Sequence, residues 1–152
     1  MKFEKSWLVQ WIGIGLLFQA LPVAYAQTCS NQTLKGSYGY TVTGTVVSSV
    51  GPISPGPFGA VGRITFDGKG GVSTVRTLSD NGAVLPHDAG SGSYTLNSDC
   101  TGSFTISVGP PGNQVHLSLD IVLDDTYELR GIVTNTGLVL LFEGRRQFPI
   151  LF

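Results

Sequence analysis

The chain has 152 residues, and nine Lys and Arg against ten Asp and Glu leave it a formal net charge of −1. With charged residues at only 12% and no basic run beyond Arg145-Arg146, no nucleic-acid partner and no polybasic membrane contact are expected. The length suits a single domain that can bury a core without a structural metal.

Residues 1–26 read as a signal peptide. Lys2 and Lys5 form a short basic start, Trp7 to Leu21 is an apolar run, and Ala24-Tyr25-Ala26 offers small residues where a signal peptidase reads. Cleavage before Gln27 would export residues 27–152. A retained anchor is the competing reading, but the apolar run is short of the roughly 20 residues of a bilayer span, and no basic stop-transfer cluster follows it. Residues 27–152 keep seven Lys and Arg, nine Asp and Glu and 19 glycines, and contain no Met or Trp.

Cys29 and Cys100 are the two cysteines. In an oxidising compartment they most simply pair with each other, and in the chain-entropy description such a bridge stabilises by roughly 4 kcal/mol. Acylation of Cys29 is disfavoured because Ala26-Gln27-Thr28 lacks the residues expected before a lipidated cysteine. A metal site is disfavoured because His87 and His116 stand at no ligand spacing from either cysteine or from each other. No cofactor is expected.

The exported part is written in β-strand residues, rich in Thr, Val, Ser and Gly and poor in Ala and Lys. Eight strands are predicted in chain order: Ser37–Ser48, Val61–Phe66, Val72–Leu78, Ser93–Leu96, Gly102–Val108, Val115–Leu123, Thr126–Val133 and Leu138–Gln147. Asp67-Gly68-Lys69-Gly70-Gly71 is the clearest hairpin signal; as a phosphate loop it would need a following helix. Asn97 to Thr101 and Asn135-Thr136-Gly137 mark two more turns. Val115, Leu117, Leu119, Ile121 and Leu123 share one face, with His116, Ser118 and Asp120 on the other. Two connections read as long and irregular, Ser49–Ala60 with its prolines and glycines, and Ser79–Gly92 with Pro86 and His87-Asp88. The expected fold is therefore all-β, an eight-stranded antiparallel up-and-down barrel, with a β-sandwich as the alternative.

Three segments carry a resemblance: Gly36-Ser37-Tyr38-Gly39-Tyr40, Val61 through Gly70, and Gly92 through Gly102. In these the chain resembles a group of small secreted bacterial proteins described as allene-oxide-cyclase-barrel-like, over roughly residues 29 to 146. The resemblance implies a fold, a barrel akin to plant allene oxide cyclases and dirigent proteins. It transfers no catalytic residue. The tail after Arg146 runs beyond the group's usual pattern.

Candidate ligand-binding residues are Tyr38, Tyr40, Tyr94 and Glu143. The tyrosines could line a pocket or simply pack the barrel. Glu143, if it faced the lumen, would be raised in pKa by burial and become a candidate acid or base; if it faced outward, it would pair diagonally with Arg130. A two-residue turn at Asn135-Thr136 places it opposite Glu128, and a three-residue turn with left-handed Gly137 places it opposite Leu129. His116 and Arg63 are expected on the exterior. His87-Asp88 is expected in a mobile loop where it could gate or catalyse. Asn31-Gln32-Thr33 matches a glycosylation acceptor, relevant only in a eukaryotic secretory pathway. The leading expectation is an exported soluble barrel, secreted or periplasmic, that binds a small apolar or amphipathic molecule or serves as a structural module. The alternatives are an isomerase or cyclase acting on a ligand inside the barrel, and a small outer-membrane barrel, suggested by the terminal Phe152.

Overall fold

The computed structural model describes residues 28–147. The leader, its cleavage site, Pro149 and Phe152 lie outside the described residues. A short 3₁₀ turn, Asn31–Leu34, precedes eight strands: β1 Gly36–Val46, β2 Gly56–Phe66, β3 Gly71–Asp80, β4 Ala83–Leu96, β5 Thr101–Val108, β6 Val115–Leu123, β7 Glu128–Val133 and β8 Leu138–Arg146. Each strand pairs antiparallel with the next. β8 returns to β1, from Tyr38 opposite Arg146 to Val46 opposite Leu138, and closes the barrel. Closure leaves no free edge for a Val- and Thr-rich chain to pair with its neighbours.

Period-two alternation decides what the barrel contains. Tyr38, Tyr40, Val42 and Val46 of β1 point inward, as does the whole odd-numbered row Val115 to Leu123 of β6. Many outward positions are Ser and Thr, among them Thr41, Thr43, Ser73, Ser91, Ser103 and Thr105, while Val61, Val75, Val122, Ile132, Val139 and Leu141 are exposed apolar side chains on the same outer surface. A barrel that spans lipid is apolar outside and polar within. The apolar interior departs from that pattern.

Two expected connections are corrected. β2 starts at Gly56 rather than Val61, and Pro57, opposite Thr45 of β1, is accommodated because its N and O face the β3 side, ahead of the first β2–β3 pair, Phe58 opposite Asp80. Its missing N–H therefore costs no ladder bond, while its carbonyl accepts from the Asn81 N–H at 2.9 Å. The segment read as a loop from Ser79 to Gly92 is a tight hairpin followed by a 14-residue strand. Asn81 and Gly82, with φ of 47° and 90°, form the two-residue turn that an Asn-Gly pair favours. Asp88 opposes Arg76 and Leu85 opposes Leu78, so β4 carries one extra residue, a bulge at Pro86 and His87. His87 sits at φ 55° within it.

The three connections after β2, β4 and β6 meet at one end of the barrel with the segments before β1 and after β8, and this end is closed. Cys29 and Cys100 are disulfide-bonded there, with Cα atoms 5.0 Å apart. Leu34 is fully buried beneath the 3₁₀ turn. The Arg146 Nη2 donates to the Thr33 and Lys35 carbonyls at 2.8 and 3.0 Å and to the Tyr38 hydroxyl at 3.1 Å. Its guanidinium also lies over the Tyr127 ring, 4.3 Å from the centroid. At the opposite end the β1–β2, β3–β4 and β5–β6 connections frame an open mouth.

Candidate functional site

Between the two ends, aromatic rings fill the lumen. Tyr38 meets Phe66 edge-on at 5.6 Å, Phe66 meets Tyr94 at 4.9 Å, and Tyr40 stacks on Phe142 at 5.1 Å. Phe104 bridges Phe66 and Phe142. What remains empty inside is about 30 Å³, between Tyr40, Arg76, Ile106, Leu119 and Phe142. That is room for a water, whereas small-molecule pockets begin near 300 Å³.

The three candidate tyrosines thus come together as packing, and each hydroxyl is spoken for. Tyr94 Oη accepts from the Gly68 N–H and donates to the Asn31 carbonyl, both at 2.9 Å. Thr74 donates its hydroxyl proton to the Arg63 carbonyl at 3.0 Å, so the 2.9 Å contact with Tyr40 has the phenol as donor. Burial pushes all three phenols above their ordinary pKa, opposed by the Arg146 hydrogen bond at Tyr38, the Thr74 bond at Tyr40 and the Gly68 N–H at Tyr94. They are neutral at physiological pH.

Glu143 lies on the outer face and is exposed, so it cannot act in the lumen. The register differs from both expected ones, because the turn is centred on Thr136-Gly137, with the Leu138 N–H bonded to the Asn135 carbonyl at 3.2 Å. That places Glu143 directly opposite Arg130. The expected ion pair does not form. Arg130 and Arg145 both turn to Glu128, each at 3.3 Å, and among the described residues Glu143 has no cation partner. Arg63 and His116 are exposed as expected, and His116 Nδ1 lies 2.7 Å from Ser107 Oγ on the outer wall. Asn31 Oδ1 accepts from the Leu96 N–H at 2.8 Å.

His87-Asp88 belongs to β4 rather than to a loop, and the bulge between them separates their fates. His87 is exposed, while Asp88 turns inward and is buried. Arg76 Nε donates to Asp88 Oδ2 at 2.9 Å, and the two side chains are only 6% and 4% exposed. Asp88 Oδ1 accepts from the Gly109 N–H at 2.9 Å. This pair was not among the expected site residues. The signal was present in the Asn-Gly turn, which aligns β3 with β4, but the parity change at the bulge has no unambiguous mark in the sequence.

The Arg76–Asp88 pair forms the floor of the open mouth. Above it stands a cavity of about 360 Å³ with mostly apolar walls, including Ile53, Phe58, Leu78, Leu85 and Val115. Among the described residues only Nε of the Arg76 guanidinium is engaged, so its terminal N–H groups can take an acceptor. Asp80 stands on the wall. Its Oδ2 accepts from the Ser54 N–H at 3.0 Å, and its buried Oδ1 has no donor among the described residues. A larger depression of about 660 Å³ crosses the outside of β5, β6 and β7, but it is a shallow groove with no buried polar group. Among the described residues no cluster of His, Cys, Asp and Glu could hold a metal ion. No protein-family model, curated protein or solved structure matches the chain.

Proposed function

We propose that the protein is an exported barrel that holds a small apolar or amphipathic molecule in its open mouth, without catalysis. One observation carries this reading: an apolar cavity of about 360 Å³ set over a buried arginine with unused donors. Apolar walls with a few convergent polar groups are the usual composition of a ligand site. Export is supported by the Cys29–Cys100 bridge, which suits an oxidising compartment, and by the leader-like residues 1–26. Among the described residues no helix is long and apolar enough to cross a membrane. The isomerase alternative needs a substrate inside the lumen, and about 30 Å³ does not admit one. A common fold with the allene-oxide-cyclase-barrel-like group belongs to the same proposal, supported by the closed barrel of eight strands in sequential order.

The neutral dye N-phenyl-1-naphthylamine, which brightens in apolar surroundings, tests this reading. The wild-type protein is expected to bind it. Leu85→Trp, filling the mouth, should weaken binding by about tenfold or more, equal to removing about 1.4 kcal/mol. Ile132→Ser, on the exposed outer wall, should leave it unchanged. No binding, or binding lost with Ile132→Ser and kept with Leu85→Trp, would refute the mouth as the site.

A further inference from the structure

We infer that the mouth selects its ligand by charge, admitting uncharged amphiphiles and rejecting anionic ones; this rests on the mouth being the binding site. The charged side chains that line it are Arg76, Asp80 and Asp88. A lone buried arginine would recruit a carboxylate or phosphate head, but this arginine is already neutralised. Its Nε holds Asp88 Oδ2 at 2.9 Å, with both side chains nearly out of solvent, where screening by water and salt is weakest. Asp80 then adds a second carboxylate with no cation of its own among the described residues. One positive charge faces two negative ones.

The adjacent titratable groups do not alter that balance. His87, next to Asp88, is exposed on the outer side of the bulge. Tyr40, which lines the lumen below Arg76, is neutral because burial raises its pKa. An anionic head entering the cavity would therefore meet excess negative charge in a confined apolar space, and like-charge juxtaposition is an effective way to exclude a ligand. An uncharged head avoids this cost. A carbonyl or ether oxygen can accept from the free terminal N–H groups of Arg76, and a hydroxyl or N–H can offer Asp80 the donor that its Oδ1 lacks. The ligand class is thus a neutral molecule with an apolar body and an uncharged polar group, an acceptor for Arg76 or a donor for Asp80.

Two dyes with the same anilinonaphthalene body separate the charge effect from mouth binding itself. N-phenyl-1-naphthylamine is neutral, and 8-anilinonaphthalene-1-sulfonate carries one negative charge. With the purified protein, the neutral dye is expected to bind at least about tenfold more tightly. Asp80→Asn, shown by circular dichroism to keep its fold, should tighten the sulfonate several-fold and so narrow the affinity ratio between the two dyes. Equal affinities, or a tighter sulfonate, would overturn charge selection while the mouth remained a binding site. Binding of neither dye to folded protein would overturn both. If Asp80→Asn does not fold, Asp80→Ser replaces it, and the wild-type affinity ratio decides by itself.

Discussion

Arg76 and Asp88 place opposite charges in an interior otherwise built of rings and branched chains. Removing one partner of a buried pair is costly because the other stays behind unpaired. Arg76→Met is therefore expected to destabilise by about 3–5 kcal/mol, measured by urea unfolding. Adding Asp88→Leu should restore part of that loss, because the stranded carboxylate goes with it. Costs that simply add would mean that the two groups are not coupled. The tyrosines rank by what their hydroxyls leave behind. Tyr94→Phe strips partners from two backbone groups, the Gly68 N–H and the Asn31 carbonyl, and should cost about 1–3 kcal/mol. Tyr40→Phe leaves Thr74 still donating to Arg63 and should cost about 0.5–1.5 kcal/mol. Equal losses in the same unfolding experiment would contradict these hydrogen-bond assignments.

At the scale of strands and turns, legibility followed local signals. β6 was plain because five apolar residues alternate without interruption. β1 and the Asp67 hairpin were nearly as plain. β2 and β4 were truncated in the reading because Pro57 and Pro86 look like breaks, yet Pro57 pairs with Thr45 of β1 ahead of the β2–β3 ladder and Pro86 lies in a bulge. The β7–β8 register was missed by one residue from the nearer of the two expected registers, since Asn135-Thr136-Gly137 offers several turn centres and each sends Glu143 to a different partner. Within β2, Gly62 sits between Tyr40 and Arg76. A Cβ there would lie 2.5 Å from the Val75 carbonyl oxygen and 2.7 Å from Arg76 Cβ. Gly62→Ala should destabilise by about 1–3 kcal/mol and, by displacing Arg76, weaken dye binding in the mouth. A variant of wild-type stability would contradict this packing at the floor.

Taken whole, the barrel has a tied end, a filled lumen and an open end, and the candidate site follows from that asymmetry. The sequence revealed the barrel through its alternation and its two cysteines. It hid the site, because the pair at the floor lies across a bulge whose parity change shows only in three dimensions. The ends and the lumen also shape the response to pH. Backbone N–H groups of Lys69, Gly71 and Gly70 hold Asp67 below the usual carboxylate range. The Thr101 side chain and N–H do the same for Asp99, and the Thr126 hydroxyl and Glu128 N–H for Asp124. Their folded pKa values lie below the unfolded ones, so their contribution is present above about pH 4 and lost as pH falls through the folded values. The phenols of Tyr38, Tyr40 and Tyr94 are raised, so theirs is present below about pH 10 and lost as pH rises through the folded values. The melting temperature should be flat between these limits and fall at both. Tyr94→Phe should shrink the alkaline fall, and an unchanged alkaline limb would assign it to other groups.

The mouth as binding site is tested most directly by following backbone amides and the Arg76 Nε–H by NMR while N-phenyl-1-naphthylamine is added. Shifts should gather at Ile53, Leu85, Asp88 and Gly109 and at the Arg76 Nε–H. A silent mouth, with shifts instead around Ile132 and Leu141 on the outer wall or around Cys100 and Tyr127 at the closed end, would contradict it.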